Sequence, residues 1–131
     1  NFFISVIRCG PRREATLGIP LHQAKAELFK TLGHPARIRI LELLDERDHA
    51  VHELLERIDI EASYVSQQLA GLRRTGLVES RRERGSVIYS IAVPEARDLL
   101  LAARIILRSL AANQEERGSQ IASATPTLAA S

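Results

Sequence analysis

The spacing of apolar residues changes at Gly76. Before it, Val65, Leu69 and Leu72 recur at i, i+4 and i+7, the rhythm of one helix face. After it, Val87, Tyr89 and Ile91 alternate, the rhythm of a strand. Gly76 stands where a left-handed residue would end the helix. The chain is thus expected to pass from a helix over 63–75 straight into a β-hairpin over 78–91, with "ERGS" at its tip.

The outer face of that helix is unusual. At about 100° per residue, Ser63, Gln67, Ala70, Gly71 and Arg74 point away from the apolar stripe. A merely solvated face usually carries Glu and Lys. Glycine inside a helix costs roughly 1 kcal/mol against alanine, so Gly71 calls for compensation by a close approach or by tight helix packing.

Three helices are expected upstream. "LHQAKAELFKTLG" spaces Leu21, Ala24, Leu28 and Leu32 helically and stops at Gly33. "HPARIRILELLDERD" starts with Pro35 in its first turn, and Arg37 and Arg39 flank its apolar stripe. "AVHELLERI" turns Val51, Leu54, Leu55 and Ile58 inward, and "DIEAS" then connects tightly to the helix opened by Glu61 or Ser63. Downstream, Pro94 begins a helix whose apolar residues cover more than one face, so its own domain and a second subunit are the simplest covers. Residues 113–131 are small, polar and aperiodic, and read as a mobile low-complexity tail.

A chain of 131 residues suits one domain, expected over 20–112. Residues 1–19 read as an extension, flexible or in part not native; no methionine occurs, not even at position 1, as in a processed product. Net charge is only +2, but residues 73–84 hold five arginines against two glutamates, so positive charge is local. A single cysteine, Cys9, excludes a disulfide framework within the chain and fits a reducing cytoplasm. No apolar run approaches the ~20 residues needed to cross a membrane.

The expected fold is therefore mainly α with a small β-hairpin: four helices, two strands, then a fifth helix, the layout of a winged helix-turn-helix. In that design the second helix of the pair enters the DNA major groove and the first braces it. Gln67 and Gln68 can pair bidentately with adenine edges, while Ser63, Tyr64 and Ser66 also belong to the base-reading set. Arg73 and Arg74 suit phosphates, and Arg81, Arg82 and Arg84 on the wing suit the backbone or the minor groove.

Two separated motifs carry a family resemblance. "LFKTLGHPARIRILELL" resembles the "LAxPxRLxIL" signature of the ArsR/SmtB family of bacterial transcriptional repressors. "SYVSQQLAGLRRTGLVESRRERGSVIYSI" is similar to that family's recognition helix and wing. The resemblance spans about residues 21–110 and implies a homodimeric repressor that binds an inverted repeat of double-stranded DNA and is released by a signal. It places the dimer interface on the first and last helices, here Leu21, Leu28, Leu99, Leu100, Ala103, Ile106, Leu107 and Leu110.

The family's usual metal ligands are missing. Where one type carries Cys-x-Cys-Asp, this chain has "AVHE", so Ala50 fills a ligand position; the last helix has Asp98 but no histidine. No cofactor is expected. A metal-responsive repressor using Cys9, His49 and His52 is an alternative, against two exposed histidines at a helix start. A second alternative is a protein-interaction module built on the apolar helix over 94–112. No nucleophile elbow, phosphate loop or catalytic carboxylate pair appears, so an enzyme is not expected.

Overall fold

A computed structural model describes the backbone of residues 18–129 and the side chains of residues 18–120. The elements run α1 (Leu21–Leu32), α2 (Pro35–Glu46), β1 (His49–Ala50), α3 (Val51–Arg57), α4 (Ala62–Thr75), β2 (Val78–Glu83), β3 (Ser86–Ile91) and α5 (Glu95–Ala129). Helices and hairpin follow the expected order. The chain divides into two compact units, the first ending at Ala96 and the second beginning at Arg97.

Local chemistry sets most boundaries. Pro35 occupies the first turn of α2, and His34 before it is extended (φ −126°, ψ 121°), as a residue preceding proline must be. Gly76 ends α4 at φ 85°, its N–H bonded to Arg73 O at 3.1 Å. In the wing, Glu83 pairs with Ser86 across a two-residue turn, Arg84 and Gly85, with φ 51° and 80°. Two positive φ angles match the right-handed twist of the flanking strands, and Gly85 takes the second at no steric cost.

The sheet has three strands in the order β1-β3-β2, both pairings antiparallel. β1 is an addition to the expected hairpin: two residues display no period, so only its pairing of His49 with Tyr89 and Ala50 with Ile88 reveals it. Ile40, Leu43 and Leu44 of α2, Leu54 of α3, and Val65 and Leu72 of α4 are completely buried, with Leu41 and Leu69 beside them at 1% exposure. Burial of each such side chain is worth roughly 1.5–3 kcal/mol. The core therefore joins the brace helix α3, the recognition candidate α4 and the α2 scaffold.

α5 differs from expectation. Its helix continues past 112, where a mobile tail was expected, and residues 113–120 are exposed along it. Ala, Gln, Glu and Arg are strong helix formers, and low hydrophobicity does not by itself end a helix.

Candidate nucleic-acid interface

α4 splits into two faces as its spacing dictates. Val65, Leu69 and Leu72 are buried, whereas Ser63, Tyr64, Ser66, Gln67, Arg73 and Arg74 are exposed. α3 and α4, joined through residues 58–61, form the helix pair, and β2 leaves α4 through Gly76 and Leu77. Thr75 fastens this exit: its hydroxyl donates to Leu72 O at 2.7 Å and accepts from Leu77 N at 3.4 Å.

Two residues expected on the open face are instead engaged with α2. Gly71 is buried, and a Cβ there would stand 2.9 Å from Nη2 of Arg37. Its missing side chain thus admits a guanidinium, which resolves its ambiguity in favour of packing. Gln68 is half-buried, and its Oε1 accepts from Arg37 Nε at 2.7 Å. That bond takes one of the two lone pairs of Oε1 and ties this base-reading candidate to α2. Arg37 Nη1 also donates to Thr31 O at 2.9 Å, so one side chain bridges α1, α2 and α4. The 31-residue separation of Arg37 and Gln68 leaves no periodic trace; Gly71 was the one available signal.

The wing arginines divide in a similar way. Arg81 donates to Asp48 at 2.8 Å and pairs with Glu83 at 3.2 Å, which holds the wing to the segment before β1 and raises the Arg81 pKa, chiefly through the Asp48 hydrogen bond. Its charge is thus partly matched by acids. Arg82 and Arg84 are exposed and, among the described residues, pair with no acid; the same holds for Arg73 and Arg74. Positive charge therefore remains at the end of α4 and along the outer half of the wing.

His49 and His52 stand in different surroundings. His49 is fully buried, not exposed as expected, because β1 carries it into the sheet beside Tyr89. Its Nδ1 must donate to the Arg47 carbonyl, 2.7 Å away, and its Nε2 has no partner among the described residues. His52 is exposed and lines a shallow groove of about 350 Å³ with Asp48, Glu53 and Arg81. Among the described residues, no group of three His, Cys, Asp or Glu side chains could hold a metal ion; Cys9 lies outside them.

Nearby carboxylates have structural duties. Glu53 accepts the Ala50 N–H at 3.0 Å and a 2.7 Å bond from Arg47, closing the start of α3, and these hold its pKa below the ordinary value. Glu46 is lowered chiefly by its 2.6 Å hydrogen bond from Arg57. On α5, Leu101, Ile105, Ile106, Leu107 and Leu110 are each more than half exposed. On α1, Leu21 is exposed and Leu28 half-buried. Leu99 and Leu100 are half-buried and Ala103 exposed. No helix among the described residues is long and apolar enough to cross a membrane.

Residues 34–80 match the family described as bacterial regulatory protein, arsR family. The chain is 57% identical over 89 residues to the uncharacterised HTH-type transcriptional regulator Rv0081 of Mycobacterium tuberculosis, covering 67% of this chain and 78% of that protein. The crystal structure of Rv0081 superposes with a TM-score of 0.68 at 52% identity, covering 73% of this chain and 97% of that one. The transcriptional repressor BigR from Xylella fastidiosa gives 0.61 at 36% identity, over 65% and 87% of the two chains. The homodimeric winged helix-turn-helix DNA-binding domain of Mb0332 from Mycobacterium bovis gives 0.61 at 28% identity, over 73% and 85%.

Proposed function

The chain belongs to the ArsR family of bacterial regulatory proteins, and from that premise we propose a homodimeric repressor that binds an inverted-repeat operator. It is a DNA-binding transcriptional regulator of the winged helix-turn-helix type, not an enzyme. The carrying observation is the face of α4: uncharged Ser63, Tyr64, Ser66 and Gln67 lie exposed opposite a fully buried stripe, with arginines beyond them that have no acid partner among the described residues. Uncharged hydrogen-bonding groups suit base edges, and Arg73, Arg74, Arg82 and Arg84 suit phosphates. Gln68, tied to Arg37, completes the base-reading set, and Arg81, paired with Asp48, completes the wing.

The dimer rests on the exposed apolar residues of α5 and on Leu21 and Leu28 of α1, which isolated chains would leave in water. The likeness to the homodimeric Mb0332 domain supports it, and the likeness to the repressor BigR supports repression. Two chains related by a two-fold axis read two half-sites about one DNA turn apart. A DNA partner puts the site of action in the cytoplasm.

Regulation proceeds without the usual family metal sites in this reading, because Ala50 fills a ligand position, His49 is buried and the last helix has no histidine. Residues 20–112 carry reading and dimerisation, with 1–19 and 113–131 as extensions. Gel-shift selection of genomic fragments at two salt concentrations tests the proposal. A set of related inverted repeats is expected, with affinity unchanged by micromolar zinc, nickel or cobalt; no shift at low salt overturns it.

A further inference from the structure

Among the described residues, Arg81 is the wing arginine that pairs with acids, and it pairs with two. Its Nη1 donates to Asp48 Oδ2 at 2.8 Å, its Nη2 lies 3.2 Å from Glu83 Oε2, and its Nε donates to that same oxygen at 3.3 Å. Every nitrogen of the guanidinium thus meets a carboxylate, and two negative charges face one positive charge. The strand period explains half of this arrangement. Glu79, Arg81 and Glu83 alternate onto one face of β2, and Ser80 and Arg82 onto the other. Topology supplies the rest, because Asp48 precedes β1 and reaches Arg81 from the far side of the β1-β3-β2 sheet. The two faces of β2 therefore differ in charge. Acids cancel Arg81 on one, whereas Arg82 on the other has no acid partner among the described residues.

The Asp48 contact has two conceivable duties, a tether for the wing or a screen for its charge. Tethering is the lesser one. β2 and β3 pair along their whole length, and β1 pairs with β3, so the ladder already fixes the wing to the body. The side chains of Arg81, Asp48 and Glu83 are each at least 41% exposed, and exposed ion pairs add little to stability. A phosphate approaching Arg81, by contrast, meets both carboxylates at contact distance, where like charges repel. We propose that Asp48 and Glu83 screen Arg81 from DNA phosphates and so limit the sequence-independent part of the affinity. This inference rests on the reading of the wing as a DNA contact. Non-specific binding comes essentially from phosphates neutralised by Lys and Arg, so each arginine withheld lowers it.

Fluorescence anisotropy with a labelled duplex of scrambled sequence, titrated with the full chain at several salt concentrations, tests this. The proteins are the wild type, Asp48→Asn, Glu83→Gln and their double variant, each also combined with Arg81→Ala. The double variant is expected to bind more tightly at low salt and to steepen the slope of log K against log salt by about 0.9, the signature of one phosphate gained. The steepening is expected to vanish in the Arg81→Ala background, because Arg81 is the cation released. Circular dichroism checks folding; should Asp48→Asn not fold, Glu83→Gln on the exposed wing carries the comparison, with a change in the same direction. The proposal is overturned if the slope does not steepen, or if it steepens as much without Arg81, which would assign the effect to net charge. It is equally overturned if binding weakens, which would make Asp48 a tether. A wild type that binds no duplex at low salt, or an Arg82→Ala variant with an unaltered slope, overturns the reading of the wing itself, a distinct failure.

Discussion

Arg37 of α2 and Gln68 of α4 meet at 2.7 Å, with Gly71 one helical turn further along α4 leaving room for the guanidinium. The recognition candidate is thereby tied to the scaffold by a polar clamp as well as by its buried Val65, Leu69 and Leu72. A side chain at 71 and the clamp at 37 compete for one volume.

That competition predicts a background-dependent effect of Gly71→Ala. With Arg37 replaced by methionine, alanine at 71 is expected to stabilise the fold by about 1 kcal/mol, the intrinsic helix gain. With Arg37 present, displacement of the guanidinium offsets that gain, and the net change is expected to be smaller or reversed. Thermal unfolding of the four proteins in the cycle measures the coupling directly.

The wing arginines should separate by salt dependence. Arg82 and Arg84 have no acid partner among the described residues, so Arg82→Ala is expected to weaken binding to all sequences. It should also reduce the slope of log K against log salt by about 1. Arg81 is already paired with Asp48 and Glu83, and Arg81→Ala is expected to change the slope less. Titrations at four salt concentrations distinguish the two; equal slope changes would place Arg81 on a phosphate.

Acid should loosen the start of α3. Hydrogen bonds from Ala50 N and Arg47 hold the Glu53 pKa below the ordinary value, and Arg57 does the same for Glu46. A carboxylate lowered by folding stabilises the protein above its unfolded-state pKa, and that contribution is lost as pH falls through the folded value. Melting temperature is therefore expected to fall below the ordinary carboxylate range, about pH 4. Glu53→Gln should flatten that fall, as measured by thermal unfolding across the acid range.

Exposed Ile106 and Leu110 give a test of assembly. Ile106→Glu with Leu110→Glu is expected to yield single chains in sedimentation and to weaken operator binding by roughly 100-fold or more, since two half-sites would no longer be engaged together. A sedimenting dimer with unchanged affinity would move the interface off α5.

The sequence by itself determined the helices and the hairpin and their order, though not β1. The period of Val65, Leu69 and Leu72, the alternation of Val87, Tyr89 and Ile91, and the turn chemistry of Gly76 and Gly85 are local, and local spacing is what a chain displays. The outward place of Ser63, Ser66 and Gln67 followed from the same geometry. Only the tertiary structure decided which polar groups were free. Gln68 and Gly71 share a helix with those residues, yet Arg37, 31 positions before Gln68, claims them; Asp48, 33 positions before Arg81, claims part of the wing's charge. His49 read as half of an exposed pair, whereas it is fully buried in a strand paired with β3. Hydrogen bonds and ion pairs between distant residues impose no period on the sequence, so the division between free and engaged polar groups emerged only when the helices and strands had packed.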